Sequence, residues 1–156
     1  MILLWLGLFT LHLVIGAALV PSRPSPARKD WQFYAAHGLF YSIPASSISA
    51  SDLPSNGQLT AGLLLFVTGS VLHLWALRSN PFFTHVIQRP PRVIRTGAYA
   101  WLQHPGYVGM FLMASASWLL VGHRLAVIPL ALYAALLVWR GRRENLLLRE
   151  SIYVRS

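Results

Sequence analysis

Cysteine is absent and acidic residues are nearly so: the 156 residues hold only Asp30, Asp52, Glu144 and Glu150. The first absence excludes disulfides and thiolate metal sites, and leaves the redox compartment unreadable. The second leaves Ser-His-Asp chemistry unsupported, because only Asp30 and Asp52 are available and neither lies near the residues of chemical interest. No two glycines stand two apart, so neither a dinucleotide fingerprint nor a glycine-rich phosphate cradle exists. His-Glu-x-x-His is missing, and the six histidines are too scattered to suggest a metal site. Charged residues make up only 11% of the chain, where a soluble domain carries about a quarter.

What is present is apolar: 55% of the residues are hydrophobic, which fits several membrane spans. The net charge of +9 would suit nucleic acid. The basic residues fall beside apolar runs instead of along one soluble face, and that argues against a nucleic-acid partner. A helix crossing the hydrocarbon core needs about 20 residues. Residues 1–20 and 58–77 meet this without a charged side chain. Residues 107–139 are too long for one span and contain Gly122-His123-Arg124, so they read as a helical hairpin with a tight turn. Residues 31–49 are the weakest span, with His37, Pro44 and several serines. Their flanks still look like span ends, with Arg28-Lys29-Asp30 before and Asp52-Leu53-Pro54-Ser55-Asn56-Gly57 after.

Charge placement decides in favour of residues 31–49. With five spans, Arg23, Arg28, Lys29, Arg78, Arg89, Arg92, Arg95, Arg140, Arg142, Arg143, Arg149 and Arg155 share one side, and Arg124 alone faces the other. That asymmetry matches the positive-inside bias, with a luminal amino terminus and a cytosolic tail. The expected fold is therefore an all-α integral membrane protein of about five transmembrane helices. Residues 1–79 hold three spans. Residues 80–156 hold the chemistry-bearing region, with a helical hairpin over 106–139 and a short C-terminal helix. For residues 1–20 a cleavable signal peptide is the competing assignment; the missing basic n-region and the positive charge after the apolar run favour a retained anchor.

The richest stretch runs from Thr96 to Gly109, and includes Tyr99, Trp101, His104, Pro105, Gly106 and Tyr107. Asn80-Pro81-Phe82-Phe83-Thr84-His85-Val86-Ile87-Gln88 follows the third span, and Arg140 to Glu144 follow the fifth. In the five-span topology all three stretches meet at the cytosolic face. Arg140 and Glu144 are four apart and share one side of a continuing helix. Each feature has a plainer explanation. Arg140, Arg142 and Arg143 suit positive-inside anchors, Tyr99, Trp101 and Tyr107 suit an interfacial aromatic belt, and Gly106 and Gly109 suit close helix packing. His12, His37 and His73 suit packed or lipid-facing polar residues. Convergence on one face is what favours a site.

These residues resemble the isoprenylcysteine carboxyl methyltransferase family. Its Gly-x-Tyr, Arg-His-Pro-x-Tyr-x-Gly, helical hairpin and closing Arg…Glu-Glu are matched here by Gly97-Ala98-Tyr99, then Gln103-His104-Pro105-Gly106-Tyr107-Val108-Gly109, then Arg140…Glu144-Asn145. The segment Phe83 to Gln88 is similar to the one that begins the family's cofactor pocket. Gln103 replaces the usual arginine and Asn145 the second acidic residue. The chain ends at Ser156, where relatives continue through an aromatic-rich stretch, so the resemblance implies a shortened C-terminus.

The resemblance implies an S-adenosyl-L-methionine pocket lined by Gln88, Val93, Ile94, Tyr99, His104, Pro105, Gly106, Tyr107 and Glu144, on the cytosolic face and formed by the C-terminal half. It places Arg140 beside the substrate carboxylate as the catalytic and substrate-binding residue. It further implies methylation of the C-terminal carboxylate of prenylated cysteine in proteins, in the endoplasmic reticulum membrane, in contact with lipid and without a metal. The alternatives are a phospholipid N-methyltransferase-like enzyme and a truncated inactive relative.

Overall fold

The computed structural model describes residues 2–19, 31–45, 54–80, 93–121 and 124–153. Among them the chain is helical with no strand: α1 (Ile2–Leu19), α2 (Trp31–Ala45), α3 (Asn56–Ser79), a 3-10 turn at Gly97–Ala100, α4 (Pro105–Val121), a second at Arg124–Ala126, and α5 (Val127–Tyr153). The segments Asn56–Ser79 and Arg124–Leu148 are long and apolar enough to cross a membrane; Leu3–Leu19 and Pro105–Leu120 are shorter apolar helices. The proposed span at 31–49 is helical through Ala45, and residues 46–49 lie outside the described residues.

Local chemistry sets the helix starts. Ser55 caps α3 reciprocally: its Oγ accepts from Gln58 N–H at 3.3 Å, and Gln58 Oε1 accepts from Ser55 N–H at 2.8 Å. Proline at the first position of α4 gives up no intrahelical hydrogen bond. Residue 140 falls within α5, which continues unbroken past residue 144 to Tyr153. Arg140 and Glu144 are thus one turn apart on a single helix.

Glycine governs how the helices meet. α3 and α4 run antiparallel with their backbones nearly touching. A Cβ added to Gly69 would stand 2.7 Å from the Gly109 carbonyl oxygen, and one added to Gly109 would stand 2.7 Å from both the Gly69 oxygen and the His73 nitrogen. Small residues allow this approach, and dispersion between the backbones rewards it. Gly106, by contrast, meets only ordinary contacts at 3.8 Å.

Aromatic rings carry the packing from α1 through α2 to α5. Trp5 stacks on Phe9 at 5.2 Å, Phe9 meets Phe40 at 5.0 Å, and Phe40 meets Tyr133 edge-on at 5.7 Å. Such pairs add about 0.5–1.5 kcal/mol each beyond area burial. Several polar groups inside pair with one another. Trp5 Nε1 donates to Ser117 Oγ at 2.5 Å, His12 Nε2 and His73 Nδ1 share a hydrogen bond of 3.0 Å, and Ser70 Oγ joins His12 Nδ1 at 2.6 Å. His12 and His73 are accordingly packed polar residues.

The α3–α4 contact yields a direct test. Gly109→Ala is expected to cost about 1–3 kcal/mol, because both opposing atoms are backbone and cannot swing aside. Gly38→Ala, where an added Cβ meets nothing within 4 Å, is expected to leave the melting temperature in detergent unchanged. Equal melting temperatures for the two variants would show that the helices are not this close.

Candidate functional site

The site is built where the C-terminal end of α3, the N-terminal end of α4 and the later turns of α5 come together. Ser79, the last residue of α3, donates through Oγ to the Trp75 carbonyl at 2.7 Å and accepts the Ala98 N–H at 3.3 Å. Gly97 sits at φ +59°, and a side chain there would collide with Ser79, so only glycine fits. This pins the Gly97–Ala100 turn against α3, buries Ala98 and positions Tyr99, whose side chain is hydrogen-bonded to that of Asn80.

Across from it, α4 begins at Pro105 and carries Tyr107 in its first turn, while α5 presents Arg140, Glu144 and Asn145. The Tyr107 hydroxyl donates to Glu144 Oε1 in a short hydrogen bond and accepts from Arg140 Nε at 3.3 Å. His104 Nδ1 lies 3.3 Å from Glu144 Oε2, and its Nε2 donates to Asn145 Oδ1 at 2.8 Å. Gln103 Nε2 donates to that same oxygen at 2.7 Å. The His104 and Tyr107 rings stack at 5.5 Å. One phenol therefore bridges the cation and the anion, and one amide oxygen gathers two donors.

Electrostatics follow from this geometry. Burial works against a charged His104, but hydrogen bonds to Glu144 and Asn145 and the Glu144 charge outweigh it and raise its pKa above the ordinary 6.5. Both ring nitrogens face oxygen acceptors, the arrangement an imidazolium requires. Burial raises the Tyr99 phenol above 10; the Asn80 hydrogen bond opposes this and the Glu144 charge reinforces it. Tyr99 is thus a donor at neutral pH. The first three arginines of α5 separate sharply: Arg140 is 6% exposed, whereas Arg142 and Arg143 face outward, with Arg143 over the Trp139 ring at 5.6 Å. Anchoring at a surface suits the latter two and not Arg140.

Of the residues singled out from sequence, Tyr99, His104, Tyr107, Arg140 and Glu144 are brought together. Pro105 is buried beneath them and Gly106 lies beside His73 of α3. Val93 and Ile94 are half-buried in the segment leading to Gly97. Gln88 lies outside the described residues. Trp101 is 82% exposed and joins no part of the network, so it suits the aromatic belt better than the site. Sequence reasoning assigned no role to Asn145 or Gln103, although their joint departure from one motif was a signal that they touch.

Residues 62–150, more than half of the chain, match the family model for the isoprenylcysteine carboxyl methyltransferase family. The chain belongs to that family. Among its relatives, the protein-S-isoprenylcysteine O-methyltransferase of Xenopus laevis is 28% identical over 129 residues, covering 73% of this chain and 43% of the relative. Those of Rattus norvegicus and Homo sapiens are each 28% identical over 128 residues, covering 72% of this chain and 44% of theirs. The chain spans less than half the length of the curated relatives it matches. No solved structure matches it. Gln103 and Asn145, two positions at which the sequence departs from the motif it resembles, form one contact.

The His104–Glu144 contact has a pH signature. Because the folded pKa is raised, its stabilisation is fully present below the unfolded value of 6.5 and is lost as pH rises through the folded value. Thermal denaturation from about pH 5.5 to 8.5 should show the parent exceeding His104→Gln most at the acid end, by on the order of 1 kcal/mol, with the gap closing toward alkaline pH. A gap independent of pH would mean that His104 is neutral throughout.

Proposed function

We propose that this chain is a membrane-embedded protein-S-isoprenylcysteine O-methyltransferase, methylating the C-terminal carboxylate of a prenylated cysteine with S-adenosylmethionine as donor. The observation that carries this is Arg140: a buried guanidinium, held by Tyr107, one turn from Glu144 and inside the family-matched region. Its planar fork grips a carboxylate in two-pronged fashion, which lysine cannot copy.

The chemistry asks little else of the protein. A carboxylate is already ionised at neutral pH, so no general base is required and positioning dominates. The donor set suits S-adenosylmethionine: the Glu144 carboxylate for ammonium or ribose hydroxyls, the N-terminal amides of α4 for a carboxylate, and the faces of Tyr99 and Tyr107 for a cationic sulfur. When bound, that cofactor supplies an electrophilic methyl group. Around it, His104 contacts both Glu144 and Asn145 and holds their helix in place, and Tyr107 links Arg140 to Glu144. Apolar helices offer a prenyl chain about 0.8 kcal/mol per buried methylene.

The topology belongs to the same proposal: five spans in the endoplasmic reticulum membrane, an N-terminus in the lumen, and the site and tail in the cytosol. Methylation of a phospholipid amine is less well supported. An amine must lose a proton before attack, and both nitrogens of His104 are already turned to oxygens of α5.

Membranes containing the full chain, given methyl-labelled S-adenosylmethionine and a small prenylcysteine, are expected to produce the methyl ester. Arg140→Lys should lower the rate about a hundredfold without changing membrane insertion. An unchanged rate would remove Arg140 from its role. Label appearing in phospholipid and not in prenylcysteine would favour the amine acceptor, and no label in either would favour an inactive relative.

A further inference from the structure

Tyr133 stands in the first third of α5 with no exposed surface. Among the described residues its hydroxyl is the one buried side-chain polar atom without a hydrogen-bond partner. Buried polar groups are nearly always satisfied, so an exception calls for an explanation. Its neighbours supply one. Phe40 closes the ring edge-on at 5.7 Å, and the hydroxyl lies within electrostatic reach of Tyr107 and Arg140. Residues 133 and 140 are about two helical turns apart and share one face. Tyr107 and Arg140 also touch each other, since Arg140 Nε donates to the Tyr107 hydroxyl at 3.3 Å.

We propose that Tyr133 is a second acceptor-binding residue, whose O–H donates to the carboxylate that Arg140 holds. The inference rests on the carboxyl-methylation proposal and deepens it. A carboxylate has about four lone-pair sites, more than one guanidinium fork fills. A phenol donating to one of its oxygens fixes the tilt of the group and leaves the other oxygen turned toward the methyl donor. No proton is transferred, so Tyr133 acts by binding and orientation alone. The contact also separates acceptor from product, because a charged carboxylate accepts a much stronger hydrogen bond than a neutral ester does.

The test uses the purified full chain and measures binding of N-acetyl-S-farnesylcysteine and of its methyl ester to the parent and to Tyr133→Phe. The variant should bind the carboxylate about tenfold more weakly and the ester equally well. In the methylation assay its KM for the acceptor should rise while that for the donor stays constant. Its ligand-free melting temperature should equal or exceed the parent's, since no bond within the protein is removed. Equal carboxylate affinity in both proteins, or a lower melting temperature in the variant, would overturn the role of Tyr133 and leave the proposed function standing. A parent that does not prefer the carboxylate to the ester would overturn both.

Discussion

Everything at the functional end of this protein depends on one meeting: the first turn of α4 against the later turns of α5. Polar side chains at the edge of an apolar bundle must satisfy one another or bind something. Here one phenol, Tyr107, connects a buried arginine to the Glu144 carboxylate. The carboxylate and the neighbouring Asn145 then hold the two nitrogens of His104. Removing the phenol would leave both the guanidinium and the acid with less to orient them. The network thus ties a buried cation, an acid and a histidine from two helices into one unit.

The rest of the fold brings those two helix ends into register. Close approach of Gly69 and Gly109 fixes the height of α4 on α3, and Ser79 with Gly97 fixes the chain that enters it. The aromatic series Trp5, Phe9, Phe40 and Tyr133 links α1 and α2 to α5 from the other side. Backbone contact and ring packing are both stiff, so small changes far from Arg140 should be felt there.

Much of this was legible in the sequence because apolar runs and punctuation are local signals. Residues 58–77 lie inside α3, whereas the stretch expected to end at 139 before a separate short helix continues as one helix, α5, to Tyr153. The four-residue spacing of Arg140 and Glu144 gave their common face, and His104-Pro105 marked the start of α4. What could not be read was which way each side chain turns in the assembled bundle. Three arginines within four residues look alike on paper, yet only Arg140 is turned inward. Trp101 looked as suited to a site as Tyr99 and is exposed. The Gln103–Asn145 contact spans 42 positions, and the unpaired hydroxyl of Tyr133 is a property of packing that no local pattern announces.

The absence of cysteine from the chain makes the central contact directly measurable in a membrane. Gln103→Cys combined with Asn145→Cys, treated with a short bifunctional thiol reagent, should cross-link efficiently. Gln103→Cys combined with Arg124→Cys, at the far end of the hairpin, should not. Failure of the first pair to cross-link, or equal reaction of both, would contradict the meeting of α4 and α5 on which the account stands.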